Sequence, residues 1–205
     1  MHTGVVNIAE LSTKYHVELC DICVPVLKFF NFSMFSFSKI TAAGQLSVLS
    51  TNAYFTEYYF ANKYYMHDPH IVDLKNMRSG VAVWSYCNDV HYQGILLYEA
   101  KRMFHIGNGV SFIKTVAGTG YDIFSFAVAP GNNNLNNYLF NHSNMLSKFI
   151  EYFTYAAENL IIEMQTVAID IALLKGKKFY QQPGITNIVM NRTEKDFSCE
   201  EVNSI

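Results

Sequence analysis

Charge is scarce in this chain. Only 16% of its 205 residues are Asp, Glu, Lys or Arg, and they balance to −2. Holding a polyphosphate backbone takes a concentrated basic face, so this composition excludes direct nucleic-acid binding by these residues. The one basic cluster, Lys175, Lys177 and Lys178, reads as the solvated end of a helix. Long apolar runs are also missing. The richest early stretch, LCDICVPVLKFFNF, is cut by Asp21, Pro25 and Lys28, which excludes a membrane span there. The opening MHTGVVNIAELSTKYHVELC lacks the basic-then-apolar order of a secretory signal, so the expected location is the cytoplasm.

Cysteine is sparse, at four residues. Cys20 and Cys23 form a C-x-x-C, but a zinc ribbon needs a second ligand pair and a redox motif follows a strand. Both flanks here have helical spacing, so these thiols are read as buried or idle. Catalytic signatures are absent as well: there is no G-x-S-x-G, no glycine-rich phosphate loop and no H-E-x-x-H. The expectation is a protein that is not an enzyme and carries no cofactor and no metal.

Apolar side chains, by contrast, make up half of the sequence and aromatic rings 15%. A single domain of this length buries roughly 70% of its unfolded surface, so its core needs no staples. Ile8, Leu11, Tyr15 and Leu19 space a first helix over Asn7 to Leu19, which Pro25 keeps from continuing. In SMFSFSKI, Phe35 and Phe37 alternate with Ser36 and Ser38, the period of a strand with two unlike faces. Gly44 then turns the chain into QLSVLS to make a hairpin. NAYFTEYYFANKYY and YQGILLYEAKRMF have helical spacing, VAVWSY reads as a strand, and GVSFIKTV and YDIFSFAV are strands joined at AGTG. From Leu135 a long helix carries the stripe Leu146, Phe149, Ile150, Phe153, Ala157, Leu160, Ile161, Met164 and Ala168. This order predicts an α/β fold: an α/β/α sandwich around a mainly antiparallel five-stranded sheet. Residues 1–173 form the domain, and 174–205 are a linker or tail.

The stretch YYMHDPHIVD, Tyr64 to Asp73, holds two histidines and two acids. Pro69 favours a helix start, which would leave His67 ahead of the helix, and no nearby cluster adds a third and fourth metal ligand. Asp68-Pro69 is a helix cap and first residue, with a helix expected to about Met77. A carboxylate fixed there is also a rigid acceptor able to face a cavity. Tyr54, Phe55, Tyr58, Tyr59, Phe60, Tyr64 and Tyr65 crowd the preceding segment, as pocket lining or as plain core.

Phe55, Tyr59 four residues on, Asp68-Pro69, Trp84 on the next strand, Gly109 opening GVSF and Ser125 in GYDIFSF together resemble the autoinducer-binding domain of LuxR-type quorum-sensing regulators, over roughly residues 5–170. The resemblance implies a PAS/GAF-like sensory fold of transcription regulation that takes an acyl-homoserine lactone or related acyl amide between sheet and helices. It implies that Asp68 accepts the ligand amide N–H, that Tyr59 donates to the acyl carbonyl, that Trp84 walls the head group and that Ser125 bonds the amide region. Phe55 stands where the family has a tryptophan whose indole N–H holds the lactone carbonyl, so that carbonyl would lose its donor, at about 1–3 kcal/mol. The family continues into a helix-turn-helix domain, for which residues 174–205 are too short; DNA contact would go through a part outside this segment. The competing expectation is a ligand-independent interaction or dimerisation module that modulates a full-length regulator, as homodimer or heterodimer, with the helix around NLIIEM as its face.

Overall fold

The structure is a computed structural model that describes residues 3–185. Helices α1 (Thr3–Lys14) and α2 (His16–Phe30) lead into the hairpin of β1 (Phe32–Thr41) and β2 (Gln45–Ser50). Helix α3 (Ala53–Ala61) follows, then β3 (Gly80–Val83), α4 (Tyr98–Phe104), β4 (Gly109–Val116) and β5 (Gly120–Val128). The chain continues through α5 (Leu135–Ala156), α6 (Glu158–Thr166), β6 (Ile169–Asp170), α7 (Ile171–Lys175) and α8 (Lys177–Gln181).

Alternation in the strands decides the architecture. In β1, Phe35 and Phe37 point to one side, while Met34 and Ile40 point to the other. Phe124 and Phe126 of β5 join the first side, and Tyr121, Ile123 and Ala127 the second. The phenylalanine side is covered by α2, α5 and α6: the Phe153 ring lies 4.7 Å from that of Phe35, with Cys23, Phe30, Leu146 and Phe149 buried around them. The other side is covered by α3, α4, α7 and the segment between α3 and β3. The sheet runs β3-β4-β5-β1-β2-β6, and every pair is antiparallel. The fold is thus the expected α/β sandwich, with six strands in place of five because Ile169 and Asp170 add a short edge against Leu46 and Gln45.

Register places four serines in a row. Ser111 pairs with Ser125, Ser125 with Ser36, and Ser36 with Ser50, so the row crosses four strands on the second face. Directly opposed residues share a face, and a polar seam therefore runs through an otherwise apolar surface.

Several elements differ from the spacing-based expectation. The first helix breaks at Tyr15, and Pro25 sits inside α2. Cys23, Val26 and Phe30, buried on both sides of the proline, hold that helix through the lost N–H bond. The long C-terminal stripe is split at Ala157 into α5 and α6. Strand β3 ends at Val83, so Trp84 begins a tight 3₁₀ turn just beyond it. The helix of YQGILLYEAKRMF opens with a π-helical stretch, Tyr92–Leu97; such wide turns are frequent at functional sites. No helix starts at Asp68-Pro69; a turn takes its place, with a single 3₁₀ turn at Leu74–Asn76. The segment from 174 also packs. Helices α7 and α8 bury Lys175 and Phe179, and Ile185 beyond them is buried too, so the packed unit extends past the boundary at 173. Residues 186–205 of the expected tail lie outside the described residues.

Candidate ligand-binding site

The turn at Asp68 exists because its backbone groups find partners elsewhere in the chain. The Tyr121 hydroxyl on β5 accepts from Val72 N–H (2.9 Å) and lies 2.7 Å from the Val72 carbonyl. Lys175 Nζ donates to the carbonyls of Asp68 (3.1 Å) and Ile71 and to Gln182 Oε1 (3.0 Å). Asp73 N–H donates to Phe179 O at 2.9 Å. A helix would need these same groups for its own ladder. Asp68 does cap locally, its Oδ1 accepting from His70 N–H at 2.9 Å, but the cap closes a turn.

The Asp68 carboxylate, 9% exposed, is held by three protein donors. His70 contributes two of them to Oδ1, its backbone N–H and its ring Nδ1, both at 2.9 Å. The Tyr59 hydroxyl donates to Oδ2 at 2.8 Å. Burial alone would raise the Asp68 pKa; the neighbouring His70 and these hydrogen bonds outweigh it and hold the carboxyl below the usual carboxylate range. Burial, and then the Asp68 charge, push the hydroxyls of Tyr59 and Tyr92 far above the usual phenol range. Both remain donors at any physiological pH.

These groups form one wall of a cavity between the second sheet face and the covering helices. The cavity measures about 100 Å³ and opens to solvent at one side. Phe55, Tyr59, Asp68, Trp84 and Ser125, the five residues singled out from the sequence, all line it. The sheet supplies the floor through Met34, Ser36, Ser38, Ile123 and Ser125, and the π-helical stretch supplies Tyr92, Leu96 and Leu97. A second hollow of about 180 Å³, lined by Tyr64, His67 and His91, shares Asp68, Tyr92 and Leu96 with the first. There His67 stacks on His91 (4.2 Å between ring centres) and accepts from Lys178 Nζ at 3.0 Å. His67 and His70 therefore serve different hollows.

Two of the expected roles differ in detail. The Tyr59 proton is committed to Asp68, so it is not available to an acyl carbonyl while that bond stands. Trp84 is more than an apolar wall: its indole N–H donates to Ser111 Oγ (2.9 Å), which lies 2.8 Å from Ser125 Oγ. Either serine can donate across that bond, and where Ser111 does, the Ser125 proton is free for the cavity. Gly109 makes this placement feasible, since a Cβ there would sit 2.5 Å from ring carbons of Trp84. Phe55 packs edge-on to Phe104 (5.4 Å) and offers no donor.

Sequence reasoning missed Tyr92, Ser36 and Ser38 as lining, His70 as a polar member, and Lys175 beneath the site. Lys175 is 4% exposed rather than solvated. Burial lowers its pKa to about 8 against the opposing pull of Asp68. The only sequence signal for the serines was their alternation with Phe35 and Phe37; Lys175 carried none.

In sequence, no protein-family profile and no curated protein matches the chain. Solved structures resemble it in shape, three of which are as follows. SdiA of Escherichia coli is 13% identical with a TM-score of 0.45, over 96% of this chain and 69% of that one. SdiA in complex with octanoyl-rac-glycerol is 16% identical with a TM-score of 0.49, over 80% and 63%. CepR2 of Burkholderia cenocepacia, described as an N-acylhomoserine lactone dependent LuxR family transcription factor, is 11% identical with a TM-score of 0.44, over 66% and 77%. Among the described residues no helix is long and apolar enough to cross a membrane.

Proposed function

We propose that this chain is a signal-binding sensory domain that takes an acyl-homoserine lactone or related acyl amide and reports it by ligand-coupled stabilisation rather than by catalysis. The observation that carries this reading is a buried, ionised carboxylate facing a partly open, largely apolar cavity while one of its oxygens has a lone pair to spare. Among the described residues Oδ2 of Asp68 accepts only from Tyr59, and a carboxylate oxygen accepts twice. An amide N–H fits that vacancy, and a charge-assisted bond in a dry site selects for it. Tyr92, whose hydroxyl makes no hydrogen bond among the described residues and which lies near Asp68, is the donor suited to the acyl carbonyl. The apolar lining from Met34, Leu96, Leu97 and Ile123 suits a short acyl chain.

Thermal denaturation with a panel of acyl-homoserine lactones and simple acyl amides tests this. A ligand at a hundred times its Kd stabilises the folded state by about 2.7 kcal/mol, which raises Tm by about 5–10 °C in a domain of this size. Asp68→Asn should abolish most of that gain. A panel in which no compound moves Tm sinks the sensory reading. The interaction-module alternative draws on Phe140 and Tyr155 of α5 and Ile162 of α6, all well exposed; concentration-dependent association without any ligand response is its signature.

A further inference from the structure

Two hydroxyls on the cavity floor have nothing in the protein to bond. Met34, Ser36, Ser38 and Ile40 alternate onto the second face of β1; Met34 and Ile40 are shut away at 2% and 0% exposure, but both serines keep part of their surface open. β1 lies inside the sheet between β5 and β2, so the surface they keep belongs to the cavity that both line. Among the described residues neither Oγ has a hydrogen-bond partner, and neither is sealed off from the cavity. The ladders to both neighbouring strands use the backbone groups of β1, which leaves these hydroxyls no local substitute. Ser38 stands between Val48 and Ile123, which cannot satisfy it. Ser36 stands between Ser50 and Ser125, and both of these are committed: Ser50 Oγ accepts from Asn52 N–H (3.1 Å), and Ser125 Oγ is bonded to Ser111 Oγ (2.8 Å).

We infer that the ligand's chain carries a neutral two-oxygen group, an ester or a vicinal diol, bound by Ser36 and Ser38, so that the site takes an oxygenated chain over a plain alkyl one. This rests on the sensory reading above and sharpens it. A plain alkyl chain lying across β1 would strip both hydroxyls of water and return no bond, and polar groups buried without partners are costly. Side chains two residues apart on a strand stand about 6.6 Å from one another. A single oxygen midway would be about 3.3 Å from each hydroxyl, beyond the usual O–H···O range of about 2.5–3.0 Å. Two neighbouring oxygens reach one hydroxyl each. No lysine or arginine lines the cavity, and its carboxylate is that of Asp68, so a neutral group fits where a second carboxylate would be repelled.

Calorimetry on the full chain compares four probes, all secondary amides. Methyl N-methylsuccinamate and methyl N-methyladipamate hold an ester at two distances from the amide; N-methylhexanamide and N-methyloctanamide are the plain chains of equal length. At least one ester should bind about tenfold tighter than its plain counterpart. In Ser36→Ala/Ser38→Ala the order should reverse, with the plain amide gaining about tenfold over its wild-type affinity and the ester losing as much. A gain in affinity cannot come from a variant that fails to fold. Plain amides that bind wild type at least as tightly as both esters overturn the inference alone and leave the two serines to water. An ester preference that persists in the double variant overturns it as well. Failure of all four probes to bind either protein overturns it together with the sensory reading.

Discussion

At the scale of single residues, the site is a chain of donors arranged around one carboxylate, and its energetics follow from that asymmetry. Replacing Asp68 by Asn puts an NH₂ where an acceptor met either Tyr59 O–H or the two His70 donors. One donor then faces another in a buried site, and the expected loss is about 2–4 kcal/mol of stability at neutral pH, read by urea denaturation. The pH dependence has a definite sign. The Asp68 pKa is lower in the folded than in the unfolded chain, so its contribution is present above the ordinary carboxylate value of about 3.9 and is lost as pH falls below it. The stability gap between wild type and Asp68→Asn should hold from pH 7 to about pH 5 and close on further acidification. A gap that stays constant down to pH 3 counts against the ionised, fully bonded carboxylate described here. Trp84 offers a second residue-level test because it is the only tryptophan. Gly109→Ala places a methyl 2.5 Å from its ring carbons, which should displace the indole from Ser111, shift its emission to the red and cost about 1–3 kcal/mol. An unchanged emission spectrum would mean that Trp84 does not rest on Gly109.

At the scale of elements, what the sequence revealed and what it hid separate by the distance between partners. The strands were legible because their faces are written in local alternation: Phe35 and Phe37 against Ser36 and Ser38 need no knowledge of the rest of the chain. The Asp68 turn was not, because Asp-Pro is a sound helix start until Tyr121, 49 residues beyond Val72, and Lys175, 107 beyond Asp68, take the carbonyls and N–H that a helix would use. Lys175 was hidden for the same reason, as three lysines in four positions look solvated on any local view. Its burial makes a prediction with the same sign as that of Asp68, stability rising with pH, but in the alkaline range. With a folded pKa of about 8 against 10.5 for the free side chain, the unfolded chain keeps the proton between those values while the folded chain has released it. Folding is therefore favoured as pH rises through that window, by on the order of 3 kcal/mol at its top, and the term is flat below pH 8. Urea melts of wild type and Lys175→Met at pH 7, 9 and 10 isolate it: wild type should gain on the variant as alkalinity increases. Parallel curves would show that the amine is solvated after all.

At the scale of the whole molecule, the layered α/β order and the five lining residues were readable, since a family resemblance and simple periodicity both act on short segments. The closing of the site by the C-terminal arm was not, because it depends on residues 175–185 lying across residues 67–77. Gln182 Nε2 donates to His67 O, Gly184 N–H to Asn76 O and Ile185 N–H to Pro69 O, each at 3.2 Å, and Asn76 Nδ2 returns a bond to Tyr180 O at 2.8 Å. The same loop carries Asp68 and His70 on its cavity side, so it is gripped from both sides. A ligand that orders the loop must then tighten the arm, and loosening the arm must weaken the ligand by the same free energy. Gly184 is the place to test this, because it lines no part of the cavity and a Cβ there would stand 2.5 Å from Asn76 O. Gly184→Ala should leave the fold intact by circular dichroism, speed hydrogen exchange at Asp73 and Ile185, and weaken the acyl amide that most raises Tm by about fivefold to tenfold. In wild type, saturating ligand should slow exchange at those two amides more than at amides of α5, which packs on the opposite sheet face. Wild-type affinity in Gly184→Ala, with exchange at Asp73 and Ile185 speeded, would show that arm and cavity are held independently. The arm would then be a plain structural clasp, and whatever follows residue 185 would receive no signal through it.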